Sequence, residues 1–332
     1  MVEVVELASP RIRLRLMTLG AAIVSLECPD GQGRTGPVHL SLPSLAGYED
    51  RKRNPYLGAS VGRYANRIAG ARFPLDGREV RVTANEGVNQ LHGGPDGFGR
   101  RLWGLTEVTS TDDGGQATMT LRSPAGDQGF PGTVTVTASY ELSGHRLRIT
   151  YRGEADAPTV LNLTNHGYWN LDGSPTVHDH HLALAADAVL PVDDASIPTG
   201  RPVTVQGTSF DLRARTRLGP VIAAIPPGLD HCFAVRGAAG ELRGAAVLDS
   251  PSSSRWLAVL TDQPGVQVYT GNNLGPPFRP HGAVCLETQL FPDTPNRPEL
   301  GSAVLRPGQH YTSITELRFG TGEPPGVEEL QP

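Results

Sequence analysis

The chain has 332 residues, 38% hydrophobic and 19% charged, with 40 glycines, 29 prolines and a formal net charge of -5. That negative balance argues against the basic face a nucleic-acid partner needs, and no apolar run approaches the ~20 residues of a membrane-crossing helix. The length supports a large core without disulfides or metals, and glycine plus proline make up about a fifth of the chain, which suits many turns between short strands.

In chain order, Met1-Val2-Glu3-Val4-Val5-Glu6 lacks the basic start and apolar core of a signal peptide. Residues 11–16 alternate arginine with Ile or Leu, the period of a strand with one wet face, and residues 20–26 follow as a second strand. Residues 29–56 read as loop with one short helical piece near 42–48. Inside that loop, Arg51-Lys52-Arg53 carries the only lysine and reads as a solvated segment rather than a binding patch. Phe73-Pro74-Leu75-Asp76-Gly77-Arg78 is a hairpin signal, because Asp-Gly supplies the positive φ angles of a tight turn.

Residues 116–122, 133–142 and 146–152 are strand-like, rich in Thr, Val and Tyr. Further strands are expected at 182–190, 245–248, 256–261, 265–270, 283–289 and 313–319, with a second short helix within 213–224. Cys28, Cys232 and Cys285 are odd in number and lack CxxC spacing, so they read as reduced structural thiols of a cytoplasmic protein. No helical period persists long enough for βαβ units. The expected fold is all-β: a large antiparallel β-sandwich with a few short helices, one domain over residues 1–320. Residues 321–332 form an acidic, Pro-rich tail expected to fray.

Candidate chemistry centres on Asn162-Leu163-Thr164-Asn165-His166-Gly167-Tyr168-Trp169. A histidine between Asn165 and Gly167, beside two aromatic residues, suits a polar pocket with an aromatic floor, and a sugar ring matches such a surface. Trp169 is divided evenly between a stacking platform and the core. Glu287, in Cys285-Leu286-Glu287-Thr288-Gln289, sits in an otherwise uncharged strand and shares a face with Cys285 and Gln289. A carboxylate there is costly unless it is hydrogen-bonded or catalytic. Arg63 and Arg67, in Gly62-Arg63-Tyr64-Ala65-Asn66-Arg67-Ile68, offer forked donors for ligand oxygens or for structural ion pairs. His92-Gly93-Gly94 lets backbone approach a ligand closely. Asp230, before His231, reads on its own as a turn cap more readily than as a site residue. His178-Asp179-His180-His181 lacks further ligands at metal spacing and reads as a surface strand start.

No GxSxG elbow, HExxH helix, phosphate-cradling loop or dinucleotide fingerprint is present. Seven motifs in order, however, resemble the aldose 1-epimerases (galactose mutarotases). They are residues 62–68, Leu91-His92-Gly93-Gly94, residues 162–166, Ile197-Pro198-Thr199-Gly200, Asp230-His231-Cys232-Phe233, residues 266–272 and Leu286-Glu287-Thr288-Gln289. The resemblance runs from about residue 20 to 319, and only residues 31–53 lack landmarks.

The resemblance implies a β-sandwich isomerase without metal or cofactor that interconverts the α and β anomers of free hexoses. It implies His166 as general acid and Glu287 as general base. Asn66, Arg67 and His92 would line the sugar site, while Asp230 and Gln267 would hold hydroxyls. The expected partner is a free monosaccharide, with no nucleic acid or membrane, and the protein is expected as a monomer or homodimer. Ring opening needs an ionised carboxylate and a protonated imidazole, so the site is expected to raise both pKa values. A hexose-6-phosphate epimerase and a non-catalytic sugar-binding protein on the same fold are the alternatives.

Overall fold

Strict alternation makes the strands. Residues of Val134–Ser143 point by turns into the core and outward, burying Val134, Val136, Ala138, Tyr140 and Leu142. In the computed structural model, which describes all residues from Met1 to Pro332, such strands pair antiparallel. The largest sheet has nine strands. Their order is Gly104–Thr111, Gly114–Ser123, Val134–Ser143, Arg146–Ala155, Tyr311–Thr321, Arg255–Thr261, Arg243–Ser250, His181–Leu184 and Thr216–Arg217.

A five-stranded sheet runs Val203–Thr204, Ala186–Val189, Asp230–Val235, Gly265–Tyr269, Cys285–Gln289. A four-stranded sheet is built from Val4–Ala8, Arg13–Met17, Ala22–Pro29 and Thr35–Pro37. All three give side chains to one cluster of 52 buried residues, among them Leu14, Tyr140, Leu257, Phe233 and Leu286. Sheets packed face to face over a shared apolar layer make a sandwich, so the expected all-β class holds. The only α-helices are Leu45–Glu49 and Leu218–Ala224, close to the two short pieces expected. The hairpin turn at Asp76-Gly77 has both residues at positive φ, 49° and 76°.

Several boundaries differ. The strand expected over 182–190 breaks at Ala185: His181–Leu184 belongs to the nine-stranded sheet and Ala186–Val189 to the five-stranded one, so this segment ties the two layers. The edge strand Gly104–Thr111 escaped notice because nearly all its residues are exposed and leave no apolar alternation. The 321–332 tail, expected to fray, is docked at three points. Val327 and Leu330 are buried against Ala183, Val247 and Leu260, and Glu328 pairs with Arg236. No helix is long and apolar enough to cross a membrane.

Candidate active site

The five-stranded sheet delivers three of the expected residues by register alone. Gln267 lies directly across from Glu287 on one side and Cys232 on the other, and Asp230 stands two residues from Cys232 on the same face. Gln267 Nε2 donates to Asp230 Oδ1 at 2.7 Å. Asp230 is thus the first residue of a strand rather than a turn cap.

Arg67 approaches from the short strand Arg67–Ile68. Its Nε and Nη2 donate to the two carboxylate oxygens of Glu86 at 2.7 and 2.9 Å, which leaves Nη1 3.7 Å from Asp230 Oδ2. Glu86 was not singled out from sequence; its only signal was a charged residue in a Gly-containing turn. Arg63, by contrast, resolves to structure. Its buried guanidinium donates to the carbonyls of Ser123, Pro124, Pro131 and Gly132 and lies 5.4 Å from the Phe130 ring centre. It clamps the chain that leads into Asn66 and Arg67.

His92 is held by the same loop. The Asn66 backbone N–H donates to His92 Nδ1 at 3.2 Å, while His92 N–H donates to the Asn66 carbonyl at 3.1 Å. Both residues sit at positive φ, 64° and 52°. A Cβ on Gly93 would lie 1.9 Å from the Gly62 carbonyl oxygen. Gly93 therefore lets the loop press against backbone, while Gly94 makes room for the Gln128 and Gln90 side chains. Because Nδ1 accepts, the neutral His92 ring carries its hydrogen on Nε2.

His166 follows Thr164–Asn165, which pairs with Ser60–Val61, and its own N–H donates to the Ala59 carbonyl at 2.8 Å. Its ring stacks on Tyr168, with centroids 4.9 Å apart and planes at 18°, and Tyr56 lies parallel at 6.2 Å. Nε2 is 3.8 Å from Glu287 Oε1, and Nδ1 is 3.6 Å from Cys285 Sγ. The His92 ring meets His166 edge to face at 5.2 Å. The expected residues Asn66, Arg67, His92, His166, Asp230, Gln267 and Glu287 thus form one continuous chain of contacts.

Trp169 does not join them. It is 2% exposed, packed on Phe319 and His39. The aromatic residues that flank the imidazole are Tyr168 and Tyr56, and Arg100 covers Tyr56 at 4.1 Å from its ring centre. His180, expected at the surface, is fully buried and accepts from the Leu171 N–H at 2.9 Å.

Burial dominates the electrostatics. Glu287 is 2% exposed and its Oε2 has no partner. Burial first, and the Asp230 charge second, push its carboxyl up to about 8 against an opposing pull from Arg67. His166 goes the other way. Burial lowers the ring to about 4, against the opposing pull of a main-chain hydrogen bond at His166 itself and with the Arg100 charge adding to the fall. The expectation that both would rise fails at the histidine, because desolvation penalises a cation and an anion alike and so moves a base and an acid in opposite directions. His92 is held well below its ordinary value by burial, then by His166, Arg67 and Arg100.

The donor atoms of His92, His166 and Glu287 lie within 4.8 Å of one another, a spacing that invites a metal. Zinc requires a lone pair from each imidazole. The Asn66 N–H occupies that of His92, so the donor set does not fit a resident ion. A cavity of about 1200 Å³, lined by Glu86, Asn273, Phe278 and others, reaches the neighbourhood of the pair through Tyr56 and Arg100, although neither His166 nor Glu287 lines it. The Arg51-Lys52-Arg53 segment forms part of its wall, which the reading of that triplet as mere solvated loop did not anticipate. A second cavity of about 640 Å³, around Asp262, Gln263 and His310, shares no residue with this site.

Fold and site together define the class: an all-β sandwich protein with a buried carboxyl–imidazole pair. Comparison with known proteins then gives the family. Residues 3–318 match the aldose 1-epimerase family model, and the chain belongs to that family. It is 41% identical to the galactose mutarotase of Bos taurus over 329 residues, which covers 96% of this chain and 94% of that protein. It is 39% identical to the aldose 1-epimerase of Escherichia coli (strain K12) over 320 residues, covering 92% and 91%. Among solved structures, an aldose epimerase homologue from C. elegans superposes with a TM-score of 0.89 at 28% identity, covering 97% of this chain and all of that one.

Proposed function

We propose that this protein interconverts the α and β anomers of free hexoses, galactose and glucose first, with Glu287 as general base and His166 as general acid. The observation that carries the reading is the buried carboxyl–imidazole pair, 3.8 Å apart, with its two pKa values driven in opposite directions. Between about pH 4 and 8 the pair holds a single proton, which is the count the reaction needs.

The reacting form is the minor one of this pair: the shared proton, which the free site holds on Glu287, stands on His166 Nε2 and Glu287 is ionised. Glu287 takes the proton from the C1 hydroxyl; the C1–O5 bond breaks as the C1 carbonyl forms; O5 takes the proton from Nε2. The aldehyde turns about C1–C2, and the same transfers in reverse close the ring on its other face. His92 donates from its Nε2–H to the ring-oxygen side of the sugar without changing charge. Arg67, fixed by Glu86, offers Nη1 to hydroxyls, and Asp230 with Gln267 holds others. Asn66 serves the site through its backbone N–H on His92. Each positioned proton transfer contributes about 10²–10⁴ in rate.

Three buried, unpaired cysteines support a reducing compartment, and we place the enzyme in the cytoplasm, acting as a monomer or homodimer on free sugars. Polarimetry on freshly dissolved α-D-galactose, α-D-glucose and glucose 6-phosphate tests the reading. Faster decay to the spontaneous end point with the free sugars supports it. Acceleration confined to the phosphate would move the function to phosphorylated hexoses and the cavity's arginines; no acceleration with any sugar would leave a binding protein.

A further inference from the structure

One strand brackets the His166 imidazole at both nitrogens. Cys285 and Glu287 are two residues apart on Cys285–Gln289 and so share a face; Sγ lies 3.6 Å from Nδ1 and Oε1 lies 3.8 Å from Nε2. The thiol is the one polar side chain within hydrogen-bonding reach of Nδ1. Cys285 is fully buried, its pKa pushed well above the thiol range, so it meets the ring as a neutral S–H group. The main-chain amide that faces the other imidazole, Asn66 N–H on His92 Nδ1, has no counterpart here.

We propose that Cys285 is a positioning residue that accepts a hydrogen bond from His166 Nδ1–H and thereby keeps Nε2 free to carry the travelling proton. This rests on the acid–base assignment above, and the argument follows from proton counting. In the closed-ring step Nε2 gives its proton to O5, and on reclosure it takes one back. Nδ1 must therefore stay protonated in both states, and its partner must be an acceptor. A main-chain N–H, as at His92, would force the hydrogen onto Nε2 and leave no lone pair to receive a proton from O5. A carboxylate would serve as acceptor but would stabilise the imidazolium and weaken it as an acid toward an ether-type ring oxygen. A neutral sulfur, a weak acceptor, holds the tautomer with little such stabilisation. The two histidines are thus set in opposite tautomers: His92 as a fixed Nε2–H donor, His166 as a proton carrier at the same position.

The test is ¹H–¹⁵N correlation of the histidine side chains in wild type, Cys285→Ala and Cys285→Ser, with kcat and KM for galactose measured in parallel. The expected result is a protonated Nδ1 and a bare Nε2 on His166 in wild type, loss of that tautomer in Cys285→Ala, and its return in Cys285→Ser. In the alanine variant kcat falls about ten- to a hundredfold, the scale seen when the partner orienting a histidine is removed, with KM within about twofold. A His166 with hydrogen on Nε2 in wild type would overturn the proposal. So would an alanine variant that keeps both tautomer and kcat. The spectrum is read without substrate turnover, so it decides the thiol's role even if no sugar is epimerised, an outcome that would fall on the function instead. Thermal melting of both variants separates a folding defect, which lowers the melting point without a change of tautomer and counts against the proposal.

Discussion

Replacing Glu287 by Gln is expected to abolish turnover and, at neutral and alkaline pH, to make the protein more stable. The carboxyl has an ordinary value of 4.5 and rises to about 8 in the folded chain. The sign follows directly. Between those values the folded state keeps a proton that the unfolded state has released, so stability falls as pH rises from 4.5 and levels off above about 8. At 1.36 kcal/mol per unit, the loss is roughly 3 kcal/mol at pH 7 and roughly 5 kcal/mol above pH 8. Gln has nearly the same shape, does not titrate, and replaces a group whose Oε2 has no partner to lose. The opposite trend of His166, whose stability contribution is lost as pH falls from 6.5 through about 4, is present in both proteins and cancels in the difference. Urea unfolding of the two proteins at pH 4.5, 7 and 9 is the assay. With a slope near 3 kcal/mol/M, the midpoint of the variant stays close to wild type at pH 4.5 and exceeds it by about 1 M at pH 7. Parallel curves at all three pH values would refute the reasoning, since they would mean that the carboxyl ionises in the folded protein as it does in water.

Further outcomes follow from the same geometry. His166→Asn keeps the fold and lowers kcat by about 10²–10⁴, read in the same polarimetric assay. The pH profile of kcat/KM is a bell that falls below about 4, as the pair gains a second proton, and above about 8, as it loses its only one. Asp230→Asn removes a charge that raises Glu287, so the alkaline limb moves to lower pH in addition to any loss of sugar binding. Arg63→Met leaves the buried carbonyls of Ser123 and Gly132 and the part-buried ones of Pro124 and Pro131 without their donor, and costs about 2 kcal/mol or more by denaturant titration.

The sequence made the layers readable wherever a strand has one wet face. Val134–Ser143 and Arg146–Ala155 alternate cleanly, and the structure places them where the pattern does. It was silent where a strand is exposed on nearly every residue, as in Gly104–Thr111, and misleading where a continuous apolar run changes sheets at Ala185. The site residues were legible as types: a lone glutamate in an apolar strand and a histidine among glycine and aromatics. Their partners were not. Tyr56 reaches the imidazoles from a loop residue at φ 61°, and Glu86 orients Arg67 from 19 residues away, neither of which leaves a periodic trace. The direction of the His166 shift was also out of reach, because it depends on how deeply a ring that lies beside polar residues in sequence is buried in space. Trp169 shows the converse: an aromatic three residues from the candidate histidine in sequence, yet packed in the core on Phe319 and His39.

The claim that one proton is handed between two groups across the C1–O5 unit is tested most directly by comparing the single variants Glu287→Gln and His166→Asn with the double variant on α-D-galactose. If the two act as a unit, the double variant is about as slow as the slower single one, because either loss alone already disables the transfer. If the losses multiply, the groups act independently, and the shared-proton account is contradicted.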